Sequence, residues 1–275
     1  MAQRVTTAVG LIAILMVLMY FGGAVMGVAA MICICFAVHE EYHALALAGH
    51  RPVQWPTWAG MAICVPLVVI YGSRVILPIM MGICLMTLIC VVFRSEPRIE
   101  DVLMSVLPLT TVALPGMCII GVALVQPKEV QVVLLSLLFA VPVLCDTFAF
   151  FVGSRVRGPK LCPLVSPNKT VSGAIGGMVG ALLSVLVIGL VAHGVCSPEV
   201  QPLLPTWWEY LLMGLMGGVA GQMGDLFASM VKRHCGIKDF SNLFPGHGGM
   251  LDRLDSIFFT CIIVYSYRAL LLYIL

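Results

Sequence analysis

The run Val5–Val38 contains no Asp, Glu, Lys or Arg side chain. A helix that crosses a bilayer needs about 20 apolar residues, so this run is too long for one crossing. Gly22-Gly23 is the natural break, which predicts helices near 5–21 and 24–45. Further apolar stretches lie near 57–72, 74–93, 102–124, 130–153, 171–193, 207–230 and 255–275; the one at 57–72 is the shortest and contains Pro66. The chain is 61% hydrophobic and 10% charged, with a mean hydropathy of +1.07. A soluble domain carries about 25% charged residues, so this chain cannot cover its surface with solvated groups and must use lipid as solvent. The expectation is an all-α polytopic membrane protein with about nine transmembrane helices. It forms one domain over 1–275, with N-terminal spans over about 5–124 and a C-terminal part over about 130–275. Arg4 ahead of the first apolar run has the look of a signal peptide, but with so many spans behind it the segment reads as a retained anchor.

The basic residues test this topology through the positive-inside rule. An inward N-terminus puts Arg4, Arg51, Arg94, Arg98, Arg155, Arg157, Lys160, Lys169, Lys232, Arg233, Lys238 and Arg253 on one side. The other side receives only Arg74 and Lys128, and Arg268 stays within the final span. The asymmetry supports the N-inside arrangement and predicts a bacterial inner-membrane protein. The inward loops 154–170 and 231–254 are longer and more basic than connectors need to be. A net charge of +2 gives no footprint for nucleic acid. The 11 cysteines form no CxxC pair and lie mostly in apolar runs, where cysteine acts as a small hydrophobe.

Few acids fall within the expected spans: Glu40, Glu41, Asp146 and Asp225. An ionisable group at membrane depth is costly and is a functional candidate by default. Asp146 and Asp225 lie about seven and five residues from the inner ends of their spans, within roughly 10 Å of the inner face. Asp225, Ser229 and Lys232 share one helical face by spacing. Lys238-Asp239 follows, then the glycine-rich turn Pro245-Gly246-His247-Gly248-Gly249, then Asp252-Arg253-Leu254-Asp255 at the start of the last span. Carboxylates of this kind hold Mg²⁺ through one or two protein oxygens plus substrate phosphates. Lysines and arginines neutralise phosphate charge, and a glycine turn lets backbone N–H groups approach it. The residues by themselves reach a metal-dependent, phosphate-handling site at the inner face.

The run from Ser229 through Lys232-Arg233, Lys238-Asp239 and Phe244-Pro245-Gly246-His247-Gly248-Gly249-Met250-Leu251-Asp252-Arg253-Leu254-Asp255 resembles the signature of the CDP-diacylglycerol synthases, or phosphatidate cytidylyltransferases. Asp146-Thr-Phe-Ala-Phe and Ser166-Pro-Asn-Lys169-Thr170 agree with it upstream. The resemblance is detailed in the C-terminal half and rests on span pattern in the N-terminal half. It implies attack by a phosphatidate oxygen on the α-phosphorus of CTP, with pyrophosphate leaving. It implies Mg²⁺ as cofactor, with a second metal or a monovalent cation as an addition, and membrane lipid and a second copy of the chain as partners. By carry-over, Asp225 and Asp252 are metal ligands. Lys232, Asp239, His247, Asp255 and Asp146 are expected at the reacting groups. Ser166, Lys169, Ser229, Arg233, Lys238, Gly248, Gly249 and Arg253 are expected to bind substrate.

Plainer readings stand beside these. Asp225 and Asp252 could be ion-paired to Lys232 or Arg253, and Asp146 could be a buried acid joining two helices. The glycine series 214, 217, 218, 221, 224 and 173, 176, 177, 180 fit helix packing; without a following Gly-Lys-Ser/Thr they are not a phosphate loop. His39-Glu40-Glu41-Tyr42-His43 is a literal H-E-x-x-H zinc pattern, though a zinc protease leaves the basic signature unexplained. Glu40 or Glu41 is expected instead to line an inner-face cavity or to pair with a basic loop residue. A transporter would spread its charges through the membrane, whereas these cluster at one face. A transferase acting on another lipid phosphate shares every feature so far.

Overall fold

The computed structural model describes residues 2–244, 246 and 248–274. Helices dominate it: α1 (Ala2–Phe21), α2 (Gly23–Leu47), α3 (Trp55–Tyr71), α4 (Ile76–Val92), α5 (Ile99–Pro108), α6 (Leu114–Ala123), α7 (Lys128–Val156), α8 (Val171–Val195), α9 (Trp207–His234) and α10 (Leu251–Ile274). Over its described residues, each expected span lies largely in helix. Six helical stretches among the described residues are long and apolar enough to cross a membrane: 23–47, 73–92, 99–123, 128–156, 171–195 and 201–234. The helix α3 is apolar but shorter.

The break between α1 and α2 falls where expected. Gly22 and Gly23 both take positive φ, 60° and 48°, a region that costs a residue bearing Cβ but not glycine.

Two details depart from the expectation. The span 102–124 is not one regular helix: a π-helical turn, Leu109–Ala113, joins α5 to α6. Pro108 precedes that turn and Pro115 follows it. Pro115 has no N–H for the usual bond four residues back and its ring crowds that carbonyl, so the turn widens. The inward loop 154–170 is also not plain coil. It holds a short antiparallel hairpin, β1 (Lys160–Cys162) paired with β2 (Ser166–Thr170).

The chain divides into two compact units, one of residues 1–124 with 232–254, the other of 125–231 with 255–275. The segment 232–254 groups with the N-terminal helices.

In the first unit, α2 packs on α6 where Gly116 leaves room for Ile34; a Cβ there would come within 2.5 Å of that side chain. The fully buried Tyr42 joins three helices: its hydroxyl lies 2.7 Å from Thr57 Oγ1 and donates to the Ser105 carbonyl at 2.9 Å.

In the second unit, glycines set the helix spacings, as the small-residue reading predicts. Gly176, Gly177 and Gly180 of α8 face α7, where a Cβ would meet Val152, Cys145 and Leu144 at 2.5–3.0 Å. On α9, Gly214 and Gly218 face Val185 and Ala181 of α8, while Gly221 and Gly224 face Thr260 and Phe259 of α10. Two faces of one helix are thus stripped of side chains so that two neighbours can approach.

Candidate active site

In the first unit the expected residues gather around Asp252. Its side chain is 2% exposed, and the Lys232 ammonium, 14% exposed, donates to Oδ1 at 2.7 Å. Its other oxygen accepts the backbone N–H groups of Phe240 at 2.8 Å and Gly249 at 2.9 Å. Lys232 also lies 5.5 Å from the centre of the Phe240 ring, within cation–π range. One carboxylate at the start of α10 therefore ties Phe240 to Gly249. Gly248 closes the turn with φ +80°, and its carbonyl accepts the Phe244 N–H at 2.9 Å. A Cβ at Gly248 would lie 2.8 Å from Asp252 Oδ2. Gly248 and Gly249 are buried, while Arg233, Lys238, Asp239 and Arg253 are exposed around them. His247, expected in the same turn, lies outside the described residues.

A second carboxylate, Glu40, expected to line an inner-face cavity or to pair with a basic loop residue, binds the same loop through a hydroxyl and backbone N–H groups. Glu40 of α2 is 5% exposed. Its Oε1 accepts the Ser241 hydroxyl at 2.6 Å and the Met250 N–H at 2.9 Å, and its Oε2 accepts the Leu251 N–H at 2.8 Å. Among the described residues its partners are thus a hydroxyl and two backbone N–H groups rather than a basic side chain. Glu41 is also buried and accepts the Thr111 hydroxyl in the π turn at 2.9 Å. His39 and His43 are exposed, with ring centres 6.0 Å apart. The signal was present in two adjacent acids at membrane depth, but the partner of Glu41 lies 70 residues downstream and those of Glu40 lie 201 to 211 residues downstream.

In the second unit Lys169 and Asp225 form an ion pair at 2.6 Å, with side chains 27% and 29% exposed. Local structure places both groups. Thr170, next to Lys169, caps α8 by accepting the Gly173 N–H at 3.1 Å, which fixes the end of β2. Gln222, one turn before Asp225, donates to the Ala174 carbonyl at 3.1 Å and ties α9 to α8. Ser166 and Ser229 are half-buried. Asp255, also half-buried, accepts the N–H of Ser256 at 2.7 Å. Asp146 is exposed on α7.

The donor chemistry fits Mg²⁺. Asp225 and Asp252 are hard oxygen donors, and each already has a cation, a lysine ammonium, seated against it. Of the two, Asp225 is the more accessible. No group of three or more His, Cys, Asp or Glu side chains converges among the described residues.

Residues 2–271 match the model of the cytidylyltransferase family. The chain belongs to the cytidylyltransferase family. Among its relatives, the phosphatidate cytidylyltransferase of Bacillus subtilis is 44% identical over 46% of this chain and 43% of its own length. That of Brucella abortus is 42% identical over 48% and 46%, and that of Staphylococcus saprophyticus 39% over 44% and 43%. The matched stretch thus spans under half the length of these curated relatives.

Proposed function

We propose that this chain is a phosphatidate cytidylyltransferase, transferring the CMP group of CTP to phosphatidate to give CDP-diacylglycerol and pyrophosphate. The observation that carries the reading is the loop 238–253. The backbone N–H groups of Phe240, Gly249 and Leu251 are bonded to buried carboxylates, while the side chains of Lys238 and Arg253 stand exposed. This is a preorganised surface for a polyphosphate, and such preorganisation dominates phosphoryl-transfer catalysis.

Phosphatidate supplies its own nucleophile, so no covalent protein intermediate is needed. Lys238, Arg233 and Arg253 are assigned to substrate phosphates, with Gly248, Gly249, Ser166 and Ser229 allowing close approach. Lys232, held by Asp252, is placed to offset charge on the transferred group or the leaving pyrophosphate. Lys169 would exchange its partner Asp225 for a phosphate oxygen. Asp225 and Asp252 are the carboxylates assigned to Mg²⁺, which when bound would neutralise developing negative charge. Asp239, His247, Asp255 and Asp146 keep supporting roles. The setting proposed is a bacterial inner membrane crossed about nine times. CTP would come from the cytoplasm, phosphatidate from the bilayer, and a second copy of the chain would form a homodimer.

The test is transfer of label from α-³²P-CTP into chloroform-soluble product by purified protein in detergent, with and without Mg²⁺. Transfer to phosphatidate that requires Mg²⁺ supports the reading. A folded protein that labels no phosphatidate of any chain length would sink it and bring other lipid phosphates forward.

A further inference from the structure

We infer that Glu40 is a positioning residue for the nucleotide loop, so that the N-terminal spans contribute directly to CTP handling. This deepens the reaction proposed above and rests on it for its functional half. Its structural half stands on geometry within one unit.

The segment 240–251 is gripped by two carboxylates. Asp252 takes the N–H groups of Phe240 and Gly249, and Glu40 takes the Ser241 hydroxyl and the N–H groups of Met250 and Leu251. Four backbone donors and one hydroxyl are thereby committed to two buried anions. The Glu40 carboxylate lies at the N-terminal end of α10, where unpaired N–H groups and the helix dipole favour negative charge. The fit is close: a Cβ on Gly249 would come within 2.6 Å of both carboxylate oxygens.

Chemistry restricts this position to a carboxylate. Among the described residues three donors face it, and both oxygens accept. A glutamine keeps one acceptor and turns an NH₂ group toward at least one of those donors. With that contact broken, the turn that presents Gly248, Gly249 and Lys238 loses its fixed register. A second acid beside it, Glu41, is committed elsewhere, to Thr111, and cannot take over.

The experiment uses full-length Glu40→Gln, Glu40→Asp, Ser241→Ala and Gly249→Ala, with the double variant Glu40→Gln/Gly249→Ala. Amide exchange at Met250 and Leu251 is read without substrate; KM for CTP, KM for phosphatidate and kcat are read with it. Glu40→Gln is expected to speed exchange at both amides at least tenfold. It should raise KM for CTP at least tenfold and leave KM for phosphatidate within twofold. Glu40→Asp should recover part of the loss, Ser241→Ala should show a two- to fivefold effect, and the double variant should be no worse than the worse single. A purely structural role would lower the yield of folded protein without separating the two KM values. Unchanged exchange in Glu40→Gln overturns the clamp. Faster exchange with both KM values unchanged, or raised equally, overturns its role with CTP. If the unmutated protein transfers no CMP, the proposed reaction falls and the CTP role with it, while exchange still reports on the clamp. Should Glu40→Gln fail to fold, Ser241→Ala decides by the same two readouts.

Discussion

Asp252→Asn tests the central ion pair most sharply. The wild-type carboxylate is 2% exposed and answers a lysine ammonium and two backbone N–H groups. Asparagine retains one acceptor oxygen, so it must abandon either Lys232 or the two backbone donors. It also leaves the Lys232 ammonium, 14% exposed, without its counter-charge. Removing one member of a buried pair costs roughly 3–5 kcal/mol; with Lys232 partly open to solvent, about 3 kcal/mol is the better figure. At roughly 2–4 °C per kcal/mol for a chain near this size, the apparent Tm should fall by about 6–12 °C. The assay is thermal unfolding in detergent, run beside CMP transfer. The double variant Lys232→Met/Asp252→Asn removes both charges, and pairs replaced in this way are often neutral. It should recover about 2 kcal/mol of the loss, a coupling of the size contacting residues show, yet remain inactive. An Asp252→Asn protein melting within 2 °C of wild type would show that this carboxylate does not hold the loop, and the reasoning would fail there.

Lys169→Met removes a pair whose members are each more than a quarter exposed, so stability should fall by only about 1 kcal/mol. CMP transfer should fall at least a hundredfold, and comparable losses of both in parallel would reassign the pair to structure. Gly180→Ala puts a methyl within 2.5 Å of the Leu144 carbonyl and 2.8 Å of Phe148, which should cost about 1–3 kcal/mol and broaden the peak in size-exclusion chromatography. Gly82→Ala, with nothing within 4 Å, should leave the peak unchanged; a reversal of the two would refute the α7–α8 packing. Burial first, and the Glu41 carboxylate second, hold the Cys235 thiol above its ordinary pKa. At a given pH it therefore carries less thiolate than a free thiol, near 8.5. Iodoacetamide should label the Cys235 peptide more slowly than glutathione at pH 8, gaining only as pH rises further; faster labelling would contradict that environment.

The sequence by itself determined the elements and the chemistry they could carry. Spans follow from local composition, because about 20 apolar residues in a row are legible wherever they occur. The Gly22-Gly23 break and the glycine packing faces were readable for the same reason: backbone freedom and a missing Cβ are properties of the residue itself. The run from Ser229 to Asp255 announced phosphate chemistry through its mixture of carboxylates, cations and glycines. Tertiary structure decided which of these groups answer one another. Asp252 became the hub of its own loop, Asp225 took Lys169 from the hairpin end, and Asp146 came to the surface. The widened turn at Leu109–Ala113 needed the combined geometry of two prolines. Glu40 is the clearest case: from the sequence, it or Glu41 is expected to line an inner-face cavity or to pair with a basic loop residue, and in the fold the partners of Glu40 are Ser241, Met250 and Leu251. A carboxylate's role is set by the donors that reach it, and donors 200 residues away are brought near only when the helices pack.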